Sequence, residues 1–489
     1  AISILKKTLK VILWVIISYV LLLLLIAGLI QIPAIQLKVA HYATSYVSDK
    51  THTRVELKKI NIKFPKSVVI EGLYLEDLQK DTLIYAGQAK VNLAFKDLFK
   101  NKIHINSFIL KDAYLNINRT GKDSLFNYDF LLTAFSDSTK QKKTTSSIWT
   151  FGADNASLKN IRLHFDDEYG GMNVIANINQ FSLKGASIDL EKQFVSLNHI
   201  ALSKSDFRYS KKNIASSKTS AVAIGIPATK SDWKVTVKRI DLKDNTLAYT
   251  IANKPGIKNA FDASHFFYRH VTLLATDLFY SSDKTKVSIE KFNAVDQNNF
   301  NITRFESDFS MDQHSITAKN NKVKTTNSSI DADLILKYSS LNTLIDSIQF
   351  MVIQADMKNV SIRNSDILYF SPLLARQNFF KNGRIITTVS GKISGSLNNI
   401  KGNNLVIHTG TNTSLKTDFV IVGLPDFQTA SFNFPNLKIS SGRKDIQTIA
   451  GPSLPKSIEI PENINMQIVF NGKMKSFKTK LGMNSSFGS

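Results

Sequence analysis

The sequence SIDADLILKY, residues 329–338, alternates apolar and polar side chains at nearly every position. Because successive side chains of a β-strand point to opposite faces of a sheet, this alternation predicts a strand with one apolar and one polar face. The same period of two recurs along most of the chain, for example at Ile103 and Ile105; Ala113, Leu115 and Ile117; Ile161, Leu163 and Phe165; Val174, Ala176 and Ile178; and Ile464, Met466, Ile468 and Phe470. The sequence therefore predicts a mainly β fold made of many half-buried strands.

Short polar segments separate the predicted strands, as at residues 166–171, 281–284 and 298–299. Turns of this length favour a meander of antiparallel neighbours. A few helices are predicted to interrupt the strands, at residues 93–100, 124–135, 340–348, 367–381 and 443–450. Since no linker rich in proline or glycine divides the chain, the sequence predicts one elongated region over residues 51–489, with a flexible loop at residues 136–147.

A loose internal repeat combines a leucine or methionine, a short polar step and renewed alternation. Its copies are LKDAYL at 110–115, LKNIRL at 158–163, LKDNTL at 242–247 and MKNVSI at 357–362. Repeated strand pairs without a clear domain break indicate a stack in which each unit contacts only its neighbours. The fold is therefore expected to be long.

The N-terminal segment is apolar over residues 11–35 and follows Lys6, Lys7 and Lys10. As a helix it is long enough to cross a hydrocarbon layer about 30 Å thick, and the lysines favour a cytoplasmic N-terminus. The alternative is a cleaved signal peptide, but the apolar core exceeds the usual length of about 7 to 15 residues. The sequence predicts a transmembrane anchor over residues 1–34, followed by an amphipathic helix over 35–50 and a periplasmic chain. The predicted anchor residues are Val11, Trp14, Leu21, Leu25 and Ile30.

The composition narrows the function classes. There is no cysteine, which excludes disulfides and thiolate metal sites. The formal net charge of +23 attracts anionic lipid head groups or nucleic acid. The lysines, however, are scattered at alternate strand positions, which indicates a solvated outer face. A nucleic-acid partner is not expected for a chain outside the cytoplasm.

A long twisted sheet with one apolar face must either pack on a second layer or curl around itself. The predicted helices are too few to cover it, so the residues leave two alternatives, a sandwich core and an open trough. A trough with a continuous apolar lining requires a ligand, and an acyl chain matches its length and chemistry. At about 0.8 kcal/mol per buried methylene, such a lining would remove much of the cost of moving a lipid through water.

Several short motifs, in this order and after the predicted anchor, resemble the AsmA-like and TamB family, the inner-membrane subunits of the translocation and assembly module, in the form found in Bacteroidetes. The motifs are KFPK at 63–66, IEGLYLED at 70–77, KDTL at 80–83, LFKNKI at 98–103, DSLFN at 123–127, GKISG at 391–395, GLP at 423–425 and RKDI at 443–446. The resemblance implies an elongated β-taco groove, transfer of phospholipids between the inner and outer membranes, and pairing with an outer-membrane barrel of the BamA or TamA type. Family members are longer, and the strand pattern here continues to the last residues, so an N-terminal portion of a longer protein is expected.

With this resemblance, the trough is favoured over the sandwich, and the alternating positions predict its lining. The predicted lining residues are Ile105, Leu115, Ile117, Leu163, Phe165, Val174, Ile178, Leu334, Leu336, Ile407 and Ile468. The expected function is passage of phospholipids that supports outer-membrane biogenesis. An alternative is a scaffold or chaperone for outer-membrane protein assembly or secretion, which would offer sheet edges to nascent barrels.

The sequence carries no pattern that indicates an enzyme or a cofactor. Its nine histidines include no pair at the spacing of a zinc-protease helix, and neither a phosphate-binding loop nor a Gly-x-Ser-x-Gly turn is present. The densest carboxylate cluster is Asp166, Asp167 and Glu168, whose hard oxygen ligands would suit calcium. It lies between two alternating strands, where acidic turns are common, so a turn is the favoured interpretation and no metal is predicted.

Overall fold

The computed structural model describes residues 31–63, 67–94, 102–121, 125–136, 150–190, 192–212, 232–340, 350–450 and 457–488, with Leu454 and eight residues between 14 and 29. The described chain is mainly β with few helices, as the alternation predicted, and its sheet is curled and largely antiparallel. It divides into two compact units, Ala1–Trp233 with Ala248–Asn253, and Lys234–Leu247 with Lys254–Ser489. We call them unit 1 and unit 2.

Unit 1 begins with a helix and continues as a sheet. Its elements are α1 (Pro33–Thr51), β1 (Val55–Lys63), β2 (Ser67–Glu76), β3 (Thr82–Leu93), β4 (Lys102–Arg119), α2 (Asp129–Phe135), β5 (Thr150–Asp167), β6 (Met172–Asp189), β7 (Phe194–Ser203) and β8 (Asp206–Lys211). Strands β1 to β4 pair in chain order and antiparallel. Strand β6 pairs with β5 on one side and with both β7 and β8 on the other, so β7 and β8 share one line of the sheet.

The pairing of β4 with β5 is parallel, from Lys102 opposite Thr150 to Arg119 opposite Asp167. The prediction of antiparallel neighbours throughout is therefore wrong at this step. A parallel pair requires the chain to return from the end of one strand to the start of the next, which takes a crossover of a dozen or more residues. Residues 120–149, which include α2, provide that length. Their polar sequence looks like an ordinary loop insertion, so the alternation could not reveal the change of direction.

Unit 2 is an antiparallel meander with helices at its strand ends. Its strands are the first part of β9 (Lys234–Ile251), then β10 (His265–Tyr280), β11 (Lys284–Asp296), β12 (Asn301–Asp312), β13 (Ser315–Thr325), β14 (Ser329–Lys337), β15 (Val352–Arg363), β16 (Ile386–Ser396), β17 (Asn399–Thr409), β18 (Thr413–Val422), β19 (Ser431–Gly442), β20 (Asn463–Lys473) and β21 (Ser476–Ser485). From β10 to β21 each strand pairs antiparallel with the next. The predicted meander is confirmed for these strands.

The predicted helices agree with the structure only in part. Helix α5 (Arg443–Ala450) matches its prediction, and α2 is shorter than residues 124–135. The helix predicted at 367–381 is broken into α3 (Asn364–Phe370), a 3₁₀ turn (Pro372–Arg376) and α4 (Asn378–Lys381), because Pro372 lacks the backbone N–H that would continue α3. Leu93 ends strand β3 instead of starting a helix. Most of the helices predicted at 93–100 and 340–348, and of the loop predicted at 136–147, lies outside the described residues.

Of the predicted anchor residues, Trp14, Leu21 and Leu25 have helical backbone and exposed side chains. Val11 and Ile30 lie outside the described residues. Within the part of the chain that the structure describes, no helix combines the length and the apolar character needed to span a bilayer. The helix predicted over 35–50 corresponds to α1, which begins at Pro33.

Candidate functional site

One face of the unit 2 sheet carries an unbroken row of apolar side chains across twelve neighbouring strands, β10 to β21. In this row each residue is the register partner of the next, and we call it the central ladder. It consists of Leu273, Phe292, Phe305, Val323, Ile330, Val360, Val389, Ile407, Leu415, Ile439, Met466 and Met483. Since neighbouring strands lie about 4.8 Å apart, the row places an apolar contact at every such step.

Two further rows of the same face are also apolar, with glycine at a few positions. One row contains Met311, Ile316, Leu336, Ile353, Gly395, Ile400, Ile421 and Phe432, and the other contains Val287, Phe309, Ala318, Leu334, Ala355, Ile393, Gly402 and Phe419. The opposite face differs sharply. The row next to the central ladder contains Arg304, Lys324, Ser329, Ser361, Thr388, His408, Ser414, Ser440, Asn465 and Asn484. Unit 2 therefore has one apolar and one polar face over its whole series of strands.

Unit 1 has the same division of faces on a shorter scale. Its apolar rows are Leu57, Leu73, Ala86, Ala113, Ile161 and Ile178; Val55, Leu75, Ile84, Leu115, Leu163, Ala176 and Phe207; and Ile117, Phe165 and Val174. Each of these rows passes through the parallel β4–β5 pair without interruption. The change of strand direction therefore leaves the apolar face intact, because register partners share a face in either orientation.

The structure places all of the predicted lining residues on these apolar faces. In unit 1, Ile105 pairs with Leu93 and Ala153, and the other predicted residues lie in the three rows given above. In unit 2, Ile407 belongs to the central ladder, and Ile468 pairs with Leu437 and Leu481. Leu334 and Leu336 belong to the two flanking rows.

The burial of the lining residues bears on the sandwich alternative. Phe165, at 9% exposure, is the one buried member of the predicted set, and the rest are half-buried. A second sheet packed face to face would remove such side chains from water almost completely. Half-burial instead fits an apolar face whose side chains are shielded by their neighbours on the same sheet, and this argues against the sandwich alternative for the described residues.

The apolar face of unit 1 bends at a position that strands β1 to β6 share. Register pairing skips this position, and Gly72, Asp112 and Asn160 occupy it with φ of 65°, 53° and 56°. Asn160 Nδ2 donates to Asp112 Oδ1 at 2.6 Å, which links the two kinks side by side. This left-handed conformation is one that glycine, asparagine and aspartate tolerate best.

The kink has a direct effect on the lining. Two successive residues, Lys111 and Asp112, are exposed, and the apolar side chains before and after them, Leu110 and Ala113, meet in one cluster. The cluster contains Ala86, Ala113 and Ile161, with Leu73, Leu110, Leu158 and Ile178 packed against it. The bend therefore brings the two halves of β4 and of β5 together over their apolar side.

Sequence reasoning missed the kinks although their signal was present. The internal repeat places Asp112, Asn160 and Asp244 at its third position, and all three have φ between 53° and 56°. In the fourth copy Lys358 is an extra residue between Met357 and Asn359, which forms a bulge against β14. Every pair from β10–β11 to β19–β20 contains such a register shift. The repeat thus marks where the strands bend.

A buried ion pair joins the ends of β4 and β5. Arg119 donates to Asp167 from Nε at 2.9 Å and from Nη2 at 2.6 Å, and their side chains are 7% and 4% exposed. The guanidinium also lies over the rings of Phe126 and Tyr169. Burial alone would raise the pKa of the Asp167 carboxyl, but the hydrogen bonds from Arg119 and from the Gly170 N–H outweigh it and hold that pKa below its ordinary value.

This arrangement accounts for the carboxylate cluster. Asp167 pairs with Arg119, and Glu168 accepts a hydrogen bond from the Gly121 N–H at 3.1 Å. These two carboxylates therefore have protein partners within a turn. Across the described residues, no group of three or more histidine, aspartate or glutamate side chains is placed to hold a metal ion. His265 and His270, the two histidines closest in sequence, contact different carboxylates, those of Asp262 and Asp244.

The two units thus offer long apolar faces, bent at kinks and bulges, as their common chemical feature. Comparison with known proteins gives no relative: no family model, curated protein or solved structure matches this chain.

Proposed function

We propose that the apolar faces bind the acyl chains of phospholipids and let them move between the inner and outer membranes. The observation that supports this function best is the central ladder, which stays apolar across twelve strands and is half-buried at ten of them, with Val360 buried and Met483 exposed. Isolated apolar side chains on a surface are ordinary, but a continuous apolar strip of this length requires a cover. An acyl chain is the ligand whose lack of polar atoms matches such a strip.

The ladder also favours movement over tight binding. An acyl chain that advances by one strand, about 4.8 Å, loses apolar contacts behind it and gains equivalent contacts ahead. At about 0.8 kcal/mol per methylene, leaving the strip for water would be costly, whereas sliding along it changes the buried apolar area little. Passage therefore needs no single strong site, and the polar head groups remain in water.

The cellular setting is part of the proposal. The predicted anchor over residues 1–34 would fix the chain in the inner membrane, with the bulk of it in the periplasm, and a BamA or TamA-type barrel would be the outer-membrane partner. The basic chain, at a net charge of +23, suits a protein that works next to anionic lipid surfaces. The function requires no cofactor.

Photocrosslinking tests the lipid contact with matched controls. Val389 and Ile407 are register partners on the apolar face, and their chain neighbours Thr388 and His408 are register partners on the polar face. With a benzophenone side chain at each position in turn, we expect phospholipid adducts, identified by mass spectrometry, at Val389 and Ile407 and none at Thr388 and His408. Equal labelling of both pairs, or labelling of neither, would refute lipid binding by this face.

A second experiment tests movement. The double substitution Val389→Asp with Ile407→Asp puts two charges in the path of the acyl chain, whereas Thr388→Asp with His408→Asp puts two charges on the outer face. We expect the first variant to lose transfer of a fluorescent phospholipid between vesicles and the second to retain it. Transfer that survives in the first variant would contradict the sliding mechanism. Crosslinks to barrel precursors without lipid adducts would instead favour the scaffold alternative.

A further inference from the structure

Helix α1 packs on the sheet through its polar and small side chains. Gln36, Ala40 and Thr51 are its buried residues, and Gln36 Nε2 donates to the Ile62 carbonyl of β1 at 3.1 Å. This orientation is the reverse of that of an ordinary surface helix, which buries its apolar stripe and exposes its polar one. The apolar stripe of α1 must therefore lie elsewhere.

That stripe points away from the sheet. Ile32, Val39, Tyr42 and Tyr46 recur at spacings of seven, three and four residues, which places them along one side of the helix. All four are exposed, and Tyr42 reaches 76%. The sequence predicts an apolar stripe of seven residues here, and the structure leaves five of them exposed and half-buries the other two, Ile35 and Val47; the five are Ile32, Val39, Tyr42, Ala43 and Tyr46.

Helix α2 extends the same surface. The rings of Tyr46 and Phe135 lie 6.3 Å apart between centroids. Phe135 and Leu132, three residues apart on α2, are 50% and 64% exposed. We call the combined surface the helical apolar patch, and its residues are Ile32, Val39, Tyr42, Tyr46, Leu132 and Phe135.

We propose that the helical apolar patch lies in the head-group region of a phospholipid bilayer. The inference rests on the membrane attachment proposed above. The apolar segment of residues 11–35 runs directly into α1, so a chain anchored by it would hold this helix at the bilayer surface. Tyrosines are enriched at that depth because an apolar ring and a polar hydroxyl suit the boundary between acyl chains and water.

The charges of α1 agree with this placement. Lys38 and Lys50 are exposed on the helix and would contact anionic head groups. Because α1 packs on β1, a helix at the bilayer surface would also bring the first apolar residues of the sheet, Val55 and Leu57, close to the lipid source. The patch would then hold this end of the unit 1 apolar face next to the bilayer, where a lipid would enter it.

The absence of cysteine makes a direct test practical. Single cysteines replacing Tyr42, Tyr46 and Leu132 in the full chain are labelled with the fluorophore NBD, with His41→Cys on the exposed polar side of α1 as the matched control. The chains are reconstituted in phosphatidylcholine and phosphatidylglycerol vesicles with or without spin-labelled lipids. We expect a shift of emission to shorter wavelength and strong quenching by the spin-labelled lipids at the three patch positions, and neither effect at His41.

Three results would overturn the proposal: equal quenching at Tyr42 and His41, no quenching at any position, or shifted emission without quenching, which would mean that protein covers the patch. Circular dichroism spectra that match those of the unsubstituted chain check that the variants are folded. The outcome is independent of the apolar face of unit 2, since lipid adducts at Ile407 report on that face whether or not the patch contacts a bilayer.

Discussion

The kink residue Asn160 gives the sharpest test of how the sequence bends the sheet. Asn160 has φ of 56° in the middle of β5, and its side chain is exposed. The substitution Asn160→Val introduces a side chain that suits strands but cannot easily adopt the left-handed conformation. The matched control is Asn177→Val in β6, an exposed position with extended backbone in the same unit. There valine should be neutral or slightly favourable.

The expected cost has two parts. A left-handed backbone costs a residue with a Cβ about 1–2 kcal/mol, and we take about 1.5 kcal/mol for valine relative to asparagine, which tolerates this conformation. Loss of the hydrogen bond from Asn160 Nδ2 to Asp112 Oδ1 adds about 0.5 kcal/mol, the low end of the usual range, because both side chains are exposed. The sum is about 2 kcal/mol of local stability in β4 to β6, and the control should lose close to none.

Hydrogen exchange read by mass spectrometry measures this difference locally. Because each 1.4 kcal/mol is a factor of ten in an opening equilibrium, about 2 kcal/mol predicts exchange roughly 30-fold faster in peptides of β4, β5 and β6. Peptides of unit 2 should exchange as in the unsubstituted chain. If Asn160→Val and Asn177→Val exchange at the same rate, the kink does not depend on the residue that the repeat supplies, and the reasoning is refuted.

Three further predictions concern the ion pair and a glycine of the apolar face. Arg119→Met leaves the Asp167 carboxylate buried without its partner and should destabilise unit 1 by about 3 kcal/mol in urea unfolding, whereas Arg162→Met on the exposed face should cost less than about 1 kcal/mol. The pKa of Asp167 is lowered in the folded chain, so the ionised carboxylate stabilises unit 1 fully above its unfolded pKa of about 4, and this contribution is lost as the pH falls further. If the stability of Arg119→Met falls with pH by the same amount as that of the unsubstituted chain, the prediction is contradicted. A Cβ on Gly402 would overlap the Phe419 ring, so Gly402→Ala should cost about 1–3 kcal/mol and shift the Phe419 resonances in an NMR spectrum, and unchanged resonances would show that the ring had room.

The strands could be predicted from the sequence because their signal is local. Alternation at Leu334 and Leu336 reports which side chains share a face, and that relation holds in any strand whatever its neighbours are. For the same reason the sequence correctly placed Ile117 and Phe165 on one face. The predicted antiparallel direction of their two strands, however, was wrong. Strand direction depends on a crossover through residues 120–149, and no local pattern encodes where such a segment leads.

By itself, the sequence determined the two faces of the sheet, the apolar stripe of α1 and the short polar steps that recur with the repeat. Only the tertiary structure decided that those steps are kinks and bulges, that α1 buries Gln36 and Ala40 in place of its apolar stripe, and that the lining stays half-buried. The physical reason is that periodicity fixes the direction of a side chain relative to its own backbone, whereas burial and bending depend on what the rest of the chain brings against it.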